Sequence, residues 1–168
     1  MDKTPIRHAA EYGNYNIAHL LLSYSDCIED ICFKNIGNFN KMEIPSSIKT
    51  IGKSSFENTN IFKINIPSSV VLIDSKAFYK CKYLREIDLP PSITFIGDYS
   101  FYQCNLSYIK LPSSLKSIGN YAFSECIFES MKIPSSVISI GNNSFEGCKN
   151  LNYVCIQSSV KSIGDYCF

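Results

Sequence analysis

The chain has 168 residues, a length that suits one ordinary domain or a short array of repeats. Hydrophobic residues make up 45% and charged residues 18% of the sequence, a balance that argues against intrinsic disorder. The formal net charge is +1, so no strong field attracts nucleic acid or an anionic membrane. No stretch approaches the roughly 18 consecutive apolar residues of a membrane span, and the first residues lack the layout of a signal peptide. We therefore expect no nucleic-acid partner, no membrane insertion and a cytoplasmic location.

Residues 1–25 show helical spacing in two short blocks. Thr4 followed by Pro5 is typical of an N-cap with proline at the first helical position, and Gly13 separates the blocks. This pattern resembles one ankyrin repeat. Because a single such repeat is too small to be stable alone, we interpret it as a cap, with residues 26–38 as the connector to the rest of the chain. The alternative is that it is the last repeat of a longer ankyrin array.

Residues 39–168 repeat with a period of 22 or 23 residues. One series is a proline that is followed by serine in most copies, and a second series is a phenylalanine preceded by Ile-Gly or Ile-Asp. The prolines are Pro45, Pro67, Pro90, Pro112 and Pro134, and the phenylalanines are Phe56, Phe78, Phe101, Phe123, Phe145 and Phe168. Six copies in register predict six structural repeats.

Each copy begins with three apolar residues in the spacing of Leu84, Ile87 and Leu89, which predicts a short strand. The proline then ends the strand, because it cannot donate to a sheet ladder. A second short β-branched segment follows, such as residues 70–73, and we expect the glycine behind it to take a positive φ. Asp74 replaces that glycine once and tolerates the same conformation better than most residues. The phenylalanine of each copy is predicted to turn inward. The other five triplets are Phe39/Met42/Ile44, Ile61/Ile64/Ile66, Leu106/Ile109/Leu111, Phe128/Met131/Ile133 and Leu151/Val154/Ile156.

A unit of this size cannot close a core alone, so the copies must stack. We predict a right-handed repeat solenoid of six 22–23-residue turns with one parallel β-sheet face, capped by the N-terminal helix pair. The Pro-Ser-Ser, Ile-Gly and Ala/Ser-Phe-x-x-Cys motifs resemble the BspA-like subfamily of leucine-rich repeats. This resemblance implies a binding surface, often on cell-surface or adhesive proteins of bacteria and protists, and it carries no catalytic residues across.

Four of the eight cysteines share one repeat position, at Cys81, Cys104, Cys126 and Cys148. No Cys-x-x-Cys pair or Cys/His cluster accompanies them, so we expect no metal site. The interpretation we favour is a series of buried thiols that pack as small hydrophobes. Disulfides between adjacent copies are the alternative, which the missing secretory signal disfavours. Cys155 lies on the predicted exposed strand face and is expected to be reactive.

Catalytic motifs are missing from the sequence. The two histidines, His8 and His19, lie in the helical blocks, and no nucleophile elbow or phosphate-binding loop is present. We therefore expect neither an enzyme nor a cofactor, with an enzyme of unrecognised class as the remote alternative.

Variable side chains on the predicted strand face form the candidate binding surface. A rigid scaffold with varied residues above it is the layout of a protein-recognition solenoid, and aromatic residues are the usual energetic anchors. The candidate residues are Lys63, Glu86, Asp88, Tyr108, Lys110, Lys132 and Tyr153. We predict a non-enzymatic interaction module that binds a protein partner on this face. The alternative, implied by the resemblance, is a cell-surface adhesin or antigen.

The sequence ends with a repeat phenylalanine, Phe168, and no polar cap follows it. An open strand edge invites pairing with another chain. We therefore expect self-association, or a partner, at the C-terminal edge.

Overall fold

The computed structural model describes residues 4–37 and 43–168, which form two helices followed by a stack of coils. Helix α1 is Pro5–Glu11 and helix α2 is Tyr15–Ser23. The strands are β1 Cys27–Ile28, β2 Thr50–Ile51, β3 Lys63–Asn65, β4 Leu72–Ile73, β5 Glu86–Asp88, β6 Phe95–Ile96, β7 Ser117–Ile118, β8 Ser130–Lys132, β9 Ser139–Ile140, β10 Tyr153–Cys155 and β11 Ser162–Ile163. All the strand pairs are parallel, and each joins one coil to its neighbour, so the chain is a β-solenoid.

The two predicted helices are present and cover the first coil. The Thr4 side chain accepts a hydrogen bond from the Arg7 amide at 3.3 Å, and Pro5 starts α1. The Arg7 guanidinium donates to the carbonyls of Ile31 and Lys34, which belong to that coil. Within residues 4–37 and 43–168, no helix is long and apolar enough to span a membrane. The ankyrin-like interpretation of the pair stays a prediction.

Residues 26–37, predicted as a connector, form the same kind of hydrogen bonds to the next coil as the repeats do. Strand β1 pairs with β2, and the Phe33 amide donates to the Ser55 carbonyl at 2.7 Å. The Phe33 ring stacks on that of Phe56 with 5.1 Å between centroids. The cause is visible in the spacing, because Ile28 precedes Phe33 by the same five residues that separate Ile51 from Phe56. Seven coils are therefore joined, one more than the six predicted copies.

The continuous sheet does not lie on the predicted strand face. Seven strands pair in the order β1-β2-β4-β6-β7-β9-β11, and they come from the second extended segment of each copy. Each contains an isoleucine in the same register, and Ile51, Ile73 and Ile96 are fully buried. The segment after the Pro-Ser turn thus forms the long sheet, because there every coil approaches its neighbour closely enough to pair.

The predicted strand face forms two short sheets instead of one. Strand β3 pairs with β5 and β8 pairs with β10, so four of the six predicted strands are present. In the copy from Leu106 to Leu111 the pairing is reduced to one bridge between Asp88 and Lys110. The triplet that begins at Phe39 lies largely outside the described residues. Strands β3, β5 and β8 end two residues before their prolines, as predicted.

A third line of hydrogen bonds connects the coils through their turns, which we call the turn face. The turns occupy residues 30–35, 53–58, 75–80, 98–103, 120–125 and 142–147. In them every second amide donates to the next coil; Phe78 donates to Ser100 and Lys80 donates to Tyr102, both at 2.8 Å. The backbone groups of the turns are therefore paired between coils as in a sheet.

The prediction of a positive φ at the Ile-Gly corner is wrong. None of the five corner glycines, Gly52, Gly97, Gly119, Gly141 and Gly164, takes one, and neither does Asp74. The left-handed residues come two and six positions after the corner, and most of them are not glycine. The corner glycines instead give room for the previous coil, whose atoms lie within 2.6 Å of where each Cβ would be.

The core contains a continuous stack of phenylalanine rings, as the second repeat series predicted, although the last ring, that of Phe168, is 54% exposed and not turned inward. The rings from Phe33 to Phe168 follow one another at centroid distances of 5.1 to 5.5 Å and are nearly parallel. Phe56, Phe78, Phe101 and Phe123 are fully buried. One aromatic ring per coil therefore packs on the ring of the next coil, together with the buried isoleucines, leucines and valines of the core.

The cysteine series lies beside this stack, buried and unbridged. Each thiol donates a hydrogen bond to the carbonyl of the phenylalanine in the preceding coil; Cys81 reaches Phe56 at 3.0 Å and Cys104 reaches Phe78 at 3.1 Å. The series thus adds a polar contact between coils to its apolar packing.

Raising the pH above about 8.5, the ordinary pKa of a thiol, is expected to destabilise the protein. Burial raises the pKa of Cys148 to about 11 and that of Cys126 well above its usual range. The folded protein therefore keeps protons that the unfolded chain loses, and its stability falls as the pH rises. Each such thiol costs about 1.4 kcal/mol per pH unit in this range.

Urea unfolding between pH 8 and 11 tests this expectation. Cys126→Ala should reduce the slope of the unfolding free energy against pH by about one thiol's share. Ser100 is buried in the same core and has no titratable group, so Ser100→Ala should leave the slope unchanged. Equal slopes in the wild type and both variants would contradict the thiol origin of the effect.

Candidate protein-interaction surface

The strand face consists of the outward side chains of β3, β5, β8 and β10 and of residues 106–111. All seven residues predicted for the binding surface are exposed on it, with Tyr108 at 67% and Tyr153 at 63%. Their neighbours Ile64, Ile87 and Ile109 point into the core. The alternation predicted for this face is therefore confirmed, although its role in binding stays a prediction.

The N-terminal half of the strand face is internally paired. Lys63 Nζ lies 3.3 Å from Glu86 Oε2, and these two residues are directly opposite each other in the pairing of β3 with β5. Asp88 is bridged through its backbone to Lys110 in the next coil. An exposed ion pair contributes little to stability, but it balances the charges of Lys63 and Glu86 against each other.

The structure brings Tyr108, Lys110 and Lys132 together in one groove of about 720 Å³. The groove lies where the two short sheets of the strand face are interrupted, between β5 and β8. Its apolar walls are formed by Leu89, Pro91, Ile109, Leu111, Pro112 and Pro134. The Pro-Ser turns thus also shape a concave site, a use that the sequence did not suggest.

The charge of this groove is positive. Of the described residues that line it, two are lysines and none is acidic. Tyr153 stands opposite Ser130, a lining residue, and so lies one coil beyond the groove. Apolar walls with two cations and one tyrosine, Tyr108, fit a ligand that presents apolar groups and carboxylates.

Cys155 is less exposed than the sequence predicts. It lies opposite Lys132 in the pairing of β10 with β8, but it is only half exposed. Its sulfur accepts a hydrogen bond from Gln157 Nε2 at 3.2 Å.

A second group of surface residues was missed by the sequence analysis, which considered only the strand face. Four tyrosines of the turn face stack in two pairs; Tyr79 and Tyr102 are 5.1 Å apart, and Tyr99 and Tyr121 are 4.6 Å apart. The signal was present in the sequence, because each tyrosine stands one residue after or two residues before a core phenylalanine.

A stack of parallel coils with a rigid core and a varied outer face defines the class of repeat solenoids, whose extended surfaces bind other molecules. The chain belongs to the BspA type leucine rich repeat family, whose model matches residues 6–128 and 116–168 in six copies. This confirms the family resemblance that the sequence motifs indicated. No curated protein matches the chain significantly.

Solved structures share the fold. A leucine rich repeat protein of T. pallidum is 26% identical, with a TM-score of 0.65 over 82% of this chain and 77% of that one. A leucine rich cell surface protein of Faecalibacterium prausnitzii is 28% identical, with a TM-score of 0.61 over 77% of this chain and 42% of that one. A leucine-rich repeat protein of Bacteroides ovatus is 19% identical, with a TM-score of 0.56 over 85% and 55% of the two chains. The chain thus spans about half the length of the last two proteins.

Proposed function

We propose that this protein is a non-enzymatic interaction module that binds a protein partner on its strand face. The observation that carries this proposal is the groove in which Tyr108, Lys110 and Lys132 converge. Leucine-rich repeat proteins generally mediate protein interactions, and the family match supports the same role here. No cofactor or catalytic residue is part of the proposal.

The groove determines which partner fits. Its floor belongs to coils held by the stacked core, so binding requires little ordering of the backbone. Tyr108 offers a large aromatic surface beside the proline walls, which is the usual setting of an energetic anchor. Lys110 and Lys132 favour an acidic segment in the partner. The paired Lys63 and Glu86 and the outlying Tyr153 extend this surface along the solenoid.

Charge reversal of the groove tests the proposal. The wild type and a Lys110→Glu/Lys132→Glu variant are used to capture proteins from the source cells, and each captured protein is quantified. A genuine partner should be recovered at least about tenfold less with the variant, because two like-charge contacts replace two attractive ones.

The matched control is Lys82→Glu/Lys116→Glu, which reverses two exposed lysines that do not line the groove. This control should retain the partner. Partners that bind all three proteins equally well would overturn the assignment to the strand face.

A second candidate function is that of a cell-surface adhesin or antigen. The similarity to the cell surface protein of Faecalibacterium prausnitzii favours it. Antibody labelling of intact and permeabilised cells separates the two locations: labelling of intact cells supports a surface role, whereas labelling only after permeabilisation supports the cytoplasmic one.

We also retain the division into an ankyrin-like cap at 1–25, a connector at 26–38 and repeats at 39–168 as a proposal. The helix pair supports it through the contacts of Arg7 with the first coil. In this proposal the helices protect the open end of the sheet at β1, and the connector serves as the first coil.

A further inference from the structure

The turn face carries a groove that the proposed strand-face function does not use. A cavity of about 690 Å³ is lined by residues that include Tyr99, Tyr102, Tyr121, Glu125 and Glu146. A neighbouring cavity of about 490 Å³ shares Tyr121 and Glu146 with it. The second cavity adds Asp165 and Tyr166. We call the two together the acidic-aromatic groove.

Two small residues open the groove at this point of the repeat. The position after the core phenylalanine is Tyr79 and then Tyr102 in successive coils, but in the next coil it is Ser124, which is buried. One position further on, Gly147 follows a series of longer residues. A Cβ on Gly147 would lie 3.1 Å from Glu125 Cγ. The cavity therefore exists because side chains present in the other coils are missing here.

One carboxylate of the groove, that of Glu125, is held in its charged form by hydrogen bonds. Glu125 accepts hydrogen bonds from Tyr102 Oη at 2.6 Å and from Gln103 Nε2 at 2.8 Å. These two bonds lower the pKa of Glu125, and the bond to the carboxylate raises the pKa of Tyr102 to about 12. Glu146 accepts from Asn143 Nδ2 at 3.0 Å. At neutral pH the tyrosine is therefore neutral and Glu125 is an anion.

The balance of charge in the groove is negative. Glu125, Glu146 and Asp165 line it, and Lys149 is the one basic residue among its described lining. Aromatic faces bordered by carboxylates are a favourable environment for an ammonium or guanidinium group. An anionic ligand would instead meet three like charges.

In the preceding coils, the tyrosine rings of the turn face contact lysine side chains of the same chain. Lys76 Nζ lies 5.7 Å from the centroid of Tyr79 and 5.6 Å from that of Tyr99, and Lys80 Nζ lies 5.1 Å from that of Tyr79. These are cation-π contacts within the chain. The repeat position of Lys76 is filled further along by tyrosine and asparagine, and that of Lys80 by glutamine, glutamate and Gly147. The aromatic rings therefore continue along the face, whereas the lysines of these two repeat positions do not.

We propose that the acidic-aromatic groove is a second interaction site, which takes a basic segment of a protein partner by placing an arginine or lysine side chain against Tyr121 and between Glu125 and Glu146. The partner's cation occupies the place that Lys76 and Lys80 fill in the preceding coils. The site lies on a different face from the strand-face groove and shares no lining residue with it. A partner could therefore engage both faces or only one.

Titration of the full chain with short peptides, followed by NMR of the backbone amides, tests this site. The probe is acetyl-Arg-Gly-Arg-amide, and the comparison peptide is acetyl-Glu-Gly-Glu-amide. The basic peptide should shift the amides of residues 121–125 and 146–147, and the acidic peptide should not. Binding should weaken as salt is added, because the contacts are exposed and charged.

Variants of the groove sharpen the test. Glu125→Gln/Glu146→Gln should weaken binding of the basic peptide by about five- to tenfold, the combined effect of two exposed ion pairs. Gly147→Lys should compete with the peptide, because Lys80 already holds an ammonium on this face from the same position with a positive φ. Glu29→Gln, which removes an exposed carboxylate that lines neither groove, is the matched control and should leave the affinity unchanged.

Several outcomes would overturn the proposal. They are equal binding of the acidic and basic peptides, shifts confined to the strand face, no binding at millimolar peptide, and affinities that Glu125→Gln/Glu146→Gln and Gly147→Lys do not change. If one variant fails to fold, as seen from its amide spectrum, the other decides. The neutral strand-face variant Lys110→Gln/Lys132→Gln should bind the basic peptide like the wild type, so failure here and failure of the strand-face proposal are distinguishable.

Discussion

Replacing Phe101 by alanine is expected to lower the free energy of unfolding by about 3–5 kcal/mol, the usual cost of truncating a large aromatic side chain in a core. Phe101 is fully buried, and its ring lies 5.3 Å from that of Phe78 and 5.4 Å from that of Phe123. Alanine would leave a cavity between two rings whose coils are also tied by backbone hydrogen bonds. The coils therefore cannot close the gap without breaking those bonds, and little of the loss can be recovered.

Urea denaturation followed by circular dichroism measures this loss, and Phe62→Ala is the matched control. Phe62 is 52% exposed and meets the Arg85 guanidinium at 5.7 Å from the ring centroid. Its truncation should cost less than about 1 kcal/mol, because an exposed cation-π contact is weak. Similar losses in the two variants would contradict the role assigned to the stacked rings.

The stacked core could be predicted from the sequence because it depends on residues that are present in every copy. An apolar ring that recurs each 22 or 23 residues must lie on one side of every coil, and stacking follows from that position. The position of the continuous sheet could not be predicted in the same way. Both extended segments of a copy are short and apolar, and which of them pairs depends on how closely neighbouring coils approach on each side.

Neither of the two grooves could be predicted from the sequence, for a related reason. Each is made by what a particular coil lacks: strand pairing near Tyr108 in one case, and side chains at Ser124 and Gly147 in the other. A missing side chain forms a groove only where side chains of the neighbouring coils border the space that it leaves. Which side chains these are depends on how the coils stack. The predicted strand-face residues are exposed as expected, but the convergence of Tyr108, Lys110 and Lys132 on one groove could be seen only in the structure.

The corner glycines form a genuine repeat, but the physical reason for them is not the one that the sequence pattern suggests. Ile-Gly recurs in five of the copies, a pattern that predicts a corner where glycine permits a positive φ. The structure places the left-handed residues elsewhere, and Lys76 and Tyr99 adopt that conformation in the turns that follow. What the corner requires is the absence of a Cβ, because adjacent coils meet there backbone against backbone.

Gly97→Ala is therefore expected to destabilise the protein by about 1–3 kcal/mol, as overpacking does. A Cβ on Gly97 would lie 2.6 Å from both the carbonyl carbon of Asp74 and the amide nitrogen of Ser75. These are backbone atoms, which cannot rotate away. The Gly97 amide also donates to the Ile73 carbonyl at 2.9 Å, so relief of the clash would stretch the long sheet at that step.

Gly37→Ala is the matched control, and urea denaturation of both variants is the measurement. A Cβ on Gly37 would meet only Asn60 Nδ2, at an ordinary 3.7 Å. Since alanine restricts the unfolded chain more than glycine does, this variant should be unchanged or more stable by up to about 1 kcal/mol. The presence of Asp74 at a corner shows that one coil accommodates a side chain there, so we expect Gly97→Ala to fold and to lose stability. A Gly97→Ala variant as stable as the wild type would mean that neighbouring coils can separate at the corner without cost, and the close approach would then not explain the repeated glycine.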